Sequence, residues 1–229
     1  MRLNLFVLMA SSVAVAIPAN AAQPQPGTED EKALYALGVI LSRNLQPFGL
    51  SATELAMVQA GLVDGAQDKV TLKDPDAYIP KLQALEKTRS AAGAEREKAA
   101  GAAYLARAAA EKGATKTASG LVIRTLVPGT GAMPTARDQV RVHYEGKLVD
   151  GTVFDSSIER KEPATFPLTG VIPCWTEAVQ LMKVGGKSQV VCPSALAYGD
   201  AGRPPQIPGG ATLVFQVELL GIVTAGDSR

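Results

Sequence analysis

Between Ala77 and Lys112 the chain carries no proline after Pro80, and from Ala91 to Ala110 eleven of the twenty residues are alanine. Glu95, Arg96, Glu97 and Lys98 interrupt that run. High helix propensity with little apolar bulk predicts one long, solvated helical rod rather than a core element. Pro80 is tolerated if it lies in the first turn, and Gly113 is well placed to end the helix. At a rise of 1.5 Å per residue the rod spans on the order of 50 Å. The chain changes character on either side of it, so two domains are expected rather than one.

Ahead of the rod everything reads as helix. Leu34, Leu37, Leu41 and Leu45 share a face of a first helix that ends near Pro47 and Gly49. Ser51 with Glu54 three residues on is a capping-box signature, and Leu55, Val58 and Leu62 line one side of the helix it opens. Asp74-Pro75 breaks the chain before the rod. Two such short helices bury too little to stand alone, so two copies of this region are expected to pack as a dimer.

After Lys116 the period changes from helix to strand. Leu121 to Leu126, Gln139 to Tyr144, Lys187 to Cys192 and Thr212 to Leu220 alternate, and Trp175 to Met182 is the one helical stretch among them. Gly199 to Gly210 is a loop rich in glycine and proline. Antiparallel strands against one short helix make an α+β arrangement. The expected division is 1–22 leader, 23–113 helical region with the rod, 114–225 α+β domain and 226–229 tail.

Arg2, the apolar run Leu3 to Ile17 and Ala19-Asn20-Ala21 fit an export signal cleaved near Ala21 or Ala22. No later segment is long and apolar enough for a stable membrane span. Removing Arg2 with the leader leaves basic and acidic residues equal in number over roughly 207 residues, which gives no support to a nucleic-acid partner or a polybasic membrane contact. Export also makes Cys174 and Cys192, the only cysteines, an expected structural disulfide. With His143 as the single histidine, no metal site is expected, and strand alternation turns that side chain opposite to Val142 and Tyr144, toward the surface. Gly185-Gly186-Lys187-Ser188 lacks the earlier glycine of a phosphate loop and reads as a turn into a strand.

Val171, Ile172 and Trp175, followed by Leu196-Ala197-Tyr198-Gly199 and Ala211-Thr212-Leu213-Val214-Phe215, supply an apolar, aromatic-floored pocket with no nucleophile. Composition alone leaves open that Trp175, Tyr144, Phe154 and Phe215 are simply core. From Val142 onward, however, the runs V-H-Y-E-G, D-G-T-V-F-D-S-S, V-I-P-C-W, M-K-V-G-G-K, A-Y-G and A-T-L-V-F-Q-V-E-L-L resemble FKBP-type peptidyl-prolyl cis-trans isomerases. The helical part, with Y-A-L-G, is similar to the dimerisation region of bacterial two-domain members, the periplasmic folding helpers and macrophage infectivity potentiators.

The resemblance implies a cofactor-free isomerase (EC 5.2.1.8) acting on proline-containing unfolded or partly folded polypeptides in the periplasm, as a homodimer with chaperone activity. A dimeric binding protein with weak isomerase activity is the other reading. It also implies a role for each pocket residue. Trp175 is the floor; Tyr144, Phe154, Val171, Ile172 and Phe215 are walls. The Tyr198 hydroxyl and the Ile172 N–H bond a substrate carbonyl, Asp155 is a polar group at the edge paired with Arg160, and Ile207 belongs to an overhanging loop. Three positions depart from the family pattern: Ala164 where an aromatic wall is frequent, Arg203 where some members have histidine, and Cys174 where glycine is usual.

Overall fold

A computed structural model of the chain describes residues 25–223. The leader (1–22) and the tail (226–229) lie outside the described residues. The chain separates into two compact parts, one through Leu41 and one from Ser42. The first contains most of α1 (Glu29–Ser42), whose leucines are exposed, Leu34 by 69%.

In the second part, Arg43–Phe48 forms a short 3-10 helix that Gly49 closes with φ of 53°. Helix α2 (Ala52–Ala66) begins with the expected capping box: Ser51 Oγ accepts from the Glu54 amide, and the Glu54 carboxylate accepts from the Ser51 amide at 2.9 Å. Asp74 caps a turn at Pro75–Tyr78 through the Ala77 amide at 3.3 Å. Pro80 then sits harmlessly in the first turn of α3 (Ile79–Ala109). That helix stops short of Gly113, which has φ of 82° in the turn leading to the sheet.

The sheet comprises β1 (Ala114–Lys116), β2 (Val122–Val127), β3 (Gln139–Leu148), β4 (Val153–Ser156), β5 (Ala164–Pro167), β6 (Lys187–Cys192) and β7 (Leu213–Val223). All pairings are antiparallel, in the order β1-β2-β6-β7-β3-β4. Strand β3 is long enough for its free edge to be shared, by β5 along Gln139–Val142 and by β4 along Glu145–Lys147. Helix α4 (Pro173–Gln180) covers one face, burying Cys174, Trp175, Ala178 and Val179 against Val140, Val142, Val190 and Val217. Cys174 and Cys192 are joined, with Cα atoms 5.7 Å apart, tying α4 to the end of β6.

The opposite face of the sheet corrects one expectation. Helix α3 is solvated only in part: Ala94, Gly101 and Ala108, spaced seven apart, are buried, and Ala108 packs with Val122, Val191 and Val214. A Cβ at Gly101 would lie 2.1 Å from Thr212 Oγ1. The alanines and glycines allow close approach, so the second half of the helix belongs with the sheet.

Candidate active site

Trp175 sits in the first turn of α4, directed by residues just before it. Pro173 presets the helical φ at the first position, and the Ile172 carbonyl accepts from the Trp175 and Thr176 amides at 2.9 and 3.2 Å. The Ile172 N–H consequently points away from the helix and has no partner among the described residues.

Around the indole the rings meet edge to face: Tyr144 at 5.2 Å and 89°, Phe215 at 5.4 Å and 88°, Phe166 at 5.8 Å and 84°. Phe154 stands against Phe215 in the same manner at 5.6 Å. Such contacts add to the burial energy and hold the rings at fixed angles. Gly146 of β3 leaves the necessary room, since a Cβ there would lie 2.6 Å from Phe154 Cζ and 2.8 Å from Phe215 Cε1.

These rings floor and wall a cavity of about 680 Å³ lined by Tyr144, Phe154, Asp155, Val171, Ile172, Trp175, Tyr198, Ile207 and Phe215. The nine residues to which the resemblance gives a place in the pocket therefore line one cavity, whereas Leu196, Ala197, Gly199 and residues 211–214, also expected to supply it, do not, Val214 packing instead with Ala108 on the opposite face of the sheet. Phe166, Gly170 and Gln206 line it too and were missed, while Arg203, noted only as a departure, also belongs to it. Phe166 and Ala164 lie two apart in the short run A-T-F-P, and it is their register with Val140 and Val142 that places both on the inner face.

One side of the cavity is polar. The Tyr144 hydroxyl donates to Asp155, Arg160 donates to the other Asp155 oxygen, and Arg160 Nη2 donates to the Tyr144 hydroxyl at 3.0 Å. Burial would push the Asp155 carboxyl up, but the bonds from Tyr144 and Arg160 outweigh it and hold the group below the ordinary aspartate value. Burial, and next the bond to Asp155, raise the Tyr144 phenol. The Tyr144 hydroxyl is thus committed on both sides. Among the described residues, that of Tyr198 accepts only a long bond from Arg203, at 3.5 Å, and donates its own proton to none.

His143 faces away from Tyr144 as alternation required, although it is half-buried rather than on the surface, with Nδ1 3.1 Å from Ser157 Oγ. Among the described residues there is no cluster of three groups able to hold a metal ion. Nothing in the cavity offers a nucleophile paired with a base, so its chemistry is that of shape, apolarity and hydrogen bonds.

Residues 131–220 match the family described as FKBP-type peptidyl-prolyl cis-trans isomerase, and residues 30–124 match the domain amino-terminal to it. The chain is 41% identical to the FKBP-type 22 kDa peptidyl-prolyl cis-trans isomerase of Escherichia coli, over 87% of this chain and 98% of the relative. It belongs to the FKBP-type prolyl isomerases. To FkpA of Aeromonas hydrophila the isomerase is 40% identical, over 90% and 81% of the two chains. The crystal structure of FkpA from Escherichia coli aligns with a TM-score of 0.67 at 37% identity, covering 86% of this isomerase and 98% of that chain. The fold and the reaction are those of the family: helices and a long helix, then an antiparallel sheet on one helix, and rotation about peptidyl-prolyl bonds.

Proposed function

We propose that Trp175 is the floor on which the proline ring is held and that Tyr144, Phe154, Val171, Ile172 and Phe215 confine it. Rotation about an X-Pro bond faces a barrier of roughly 18–20 kcal/mol from amide resonance and breaks no covalent bond. The planar amide is more polar than the twisted one, so transfer into an apolar cage penalises the ground state more. A cage shaped to the twisted form favours it directly. The Ile172 N–H and the Tyr198 hydroxyl donate to carbonyls beside the bond and hold one flank while the other turns. Asp155, held ionised by Arg160, anchors Tyr144 at the rim, and Ile207 closes the cavity from the loop.

The observation that carries this reading is the single cage around Trp175, edged by two donors with no other committed acceptor. Its test is the cis-to-trans relaxation of a short X-Pro peptide with the mature protein. Trp175→Ala is expected to remove nearly all acceleration, and Tyr198→Phe to lower kcat/KM about tenfold, the worth of one directed hydrogen bond. Wild-type acceleration that survives Trp175→Ala overturns the assignment.

The working form is a homodimer through residues 23–113, with residues 114–225 as the catalytic domain. The exposed leucines of α1 and α2 support this. Its location is the periplasm after removal of the leader, a reading supported by the export pattern and by a disulfide that needs an oxidising compartment. Among the described residues no helix is long and apolar enough to cross a membrane. Unfolded or partly folded chains containing proline are the clients, held between the two copies as well as isomerised.

A further inference from the structure

The loop Gly199–Gly210 has two sides. Toward the cavity it follows Tyr198 and carries Arg203, Gln206 and Ile207. Internal bonds make it a rigid unit: Gly210 N–H donates to the Gly199 carbonyl at 2.8 Å, and Arg203 and Ile207 exchange both backbone bonds at 2.7 and 3.1 Å. On its other side the base of the loop meets α3. Ala94 is 4% exposed. Its carbonyl lies where a Cβ on Gly210 would fall, at 2.3 Å, and its methyl is 3.6 Å from such an atom on Gly209. One turn further along the helix, Lys98 Nζ pairs with Asp200 at 2.7 Å while also meeting Glu95 at 3.0 Å. The helix therefore grips both ends of the loop from outside, through backbone contact at 209–210 and charge at 200.

We propose that Ala94 and Lys98 of α3 are positioning residues for isomerisation: by fixing the base of the Gly199–Gly210 loop they set where Tyr198, Arg203 and Ile207 stand over the cavity. This rests on the reading of that cavity as the proline site. Backbone contact is the stronger hold, because an ion pair this exposed contributes little by itself. A leucine at 94 or 101 needs space that the sheet and loop occupy, so it forces the helix off without touching the buried core around Trp175. The connection also makes the arm part of the active site. A pull or twist along α3 is transmitted to the groups that contact the residues flanking proline.

The test uses the full mature chain with Ala94→Leu combined with Gly101→Leu, and Ala94→Ser as the conservative control. Rates are measured on X-Pro peptides differing in the residue before proline, with kcat and KM separated. The thermal midpoint and the near-ultraviolet signal of Trp175 are followed in parallel. The double variant is expected to lose about threefold to tenfold in kcat/KM, mostly through KM and unequally among the peptides, since displacement of a positioning group by about an ångström costs that much or more. Ala94→Ser stays within about twofold of wild type on the same grounds. Rates in the double variant that match wild type across the series overturn the proposal, as does a uniform loss accompanied by a lowered midpoint and a diminished Trp175 signal. The Trp175→Ala result is read beside these. Acceleration that survives it removes the pocket assignment itself, whereas acceleration lost in it but kept in the helix variants removes only the role of α3.

Discussion

Asp155 stands between two donors, and its ionisation is the residue-scale property most open to measurement. Bonded in the fold to Tyr144 and Arg160, it holds its proton less tightly than in the unfolded chain. A depressed carboxylate contributes stability that is present above its unfolded value, about 3.9, and disappears as pH falls through the lower folded one. Unfolding free energy is thus expected to hold steady toward neutral pH and to decline below about pH 4. Arg160→Ala removes one of the two bonds that counter burial, so the Asp155 pKa rises toward its unfolded value, the carboxyl contributes less stability at neutral pH, and the acid decline becomes shallower and ends at a higher pH. Carbon-detected titration of the Asp155 carboxyl in both proteins checks this, and an unchanged midpoint in the variant would remove Arg160 from the account. Tyr144 belongs to the same group, and its buried ring is braced by Trp175 on one side and Phe166 on the other. Tyr144→Phe keeps that packing and deletes both hydroxyl bonds, the one given to Asp155 and the one accepted from Arg160, a loss of about 1–2 kcal/mol in urea unfolding.

Helix α4 is only two turns long, yet it supplies the cavity floor, and its fixation depends on what ties it down. The disulfide from Cys174 to Cys192 secures its first turn to β6, next to Trp175. In the chain-entropy account, closing a loop of this size stabilises by about 3 kcal/mol. Cys174→Ser with Cys192→Ser is therefore expected to lower the unfolding free energy by up to about that amount, read by denaturant unfolding. Catalysis at 25 °C should survive, because Trp175 keeps its ring contacts. What could be read from the chain divides along the same elements. Long strands with strict alternation, such as β3 and β7, and the Ser51–Glu54 cap announced themselves. Strands β4 and β5 are four residues each, too short for a period to show, and Phe166 was missed with β5. In α3 the signal was present and misdirected. Low apolar bulk predicts solvation, yet small side chains at 94, 101 and 108 are also what a helix needs in order to lie close to a sheet. The convergence of the expected residues on one cavity came from ordered motif matches, since composition alone cannot separate a pocket floor from a core.

At the scale of the whole molecule the apolar surface of α1 and α2 has to be accounted for. Leu34 and Leu37 of the first helix, and Leu55, Met57, Val58 and Leu62 of the second, are exposed in the single chain, Met57 by 72%. Proteins seldom leave this many large apolar side chains of a helix open to water without an interaction that covers them. Neither helix owns a core large enough to account for its own stability. In the homodimer proposed above, a second copy would supply the missing surface and receive the same stripes in exchange, as a two-fold interface requires. Sedimentation of the mature protein is expected to give twice the mass of one chain at micromolar concentration. Leu37→Glu combined with Leu62→Glu places charge within both stripes and shifts the protein to monomer. Isomerisation of a short peptide draws on the cavity of one copy and persists in that variant. On the proposed clamp, suppression of aggregation of an unfolded client requires two copies, so it is expected to fall away. A monomeric variant that still protects clients as well as wild type would place the holding activity on the catalytic domain instead.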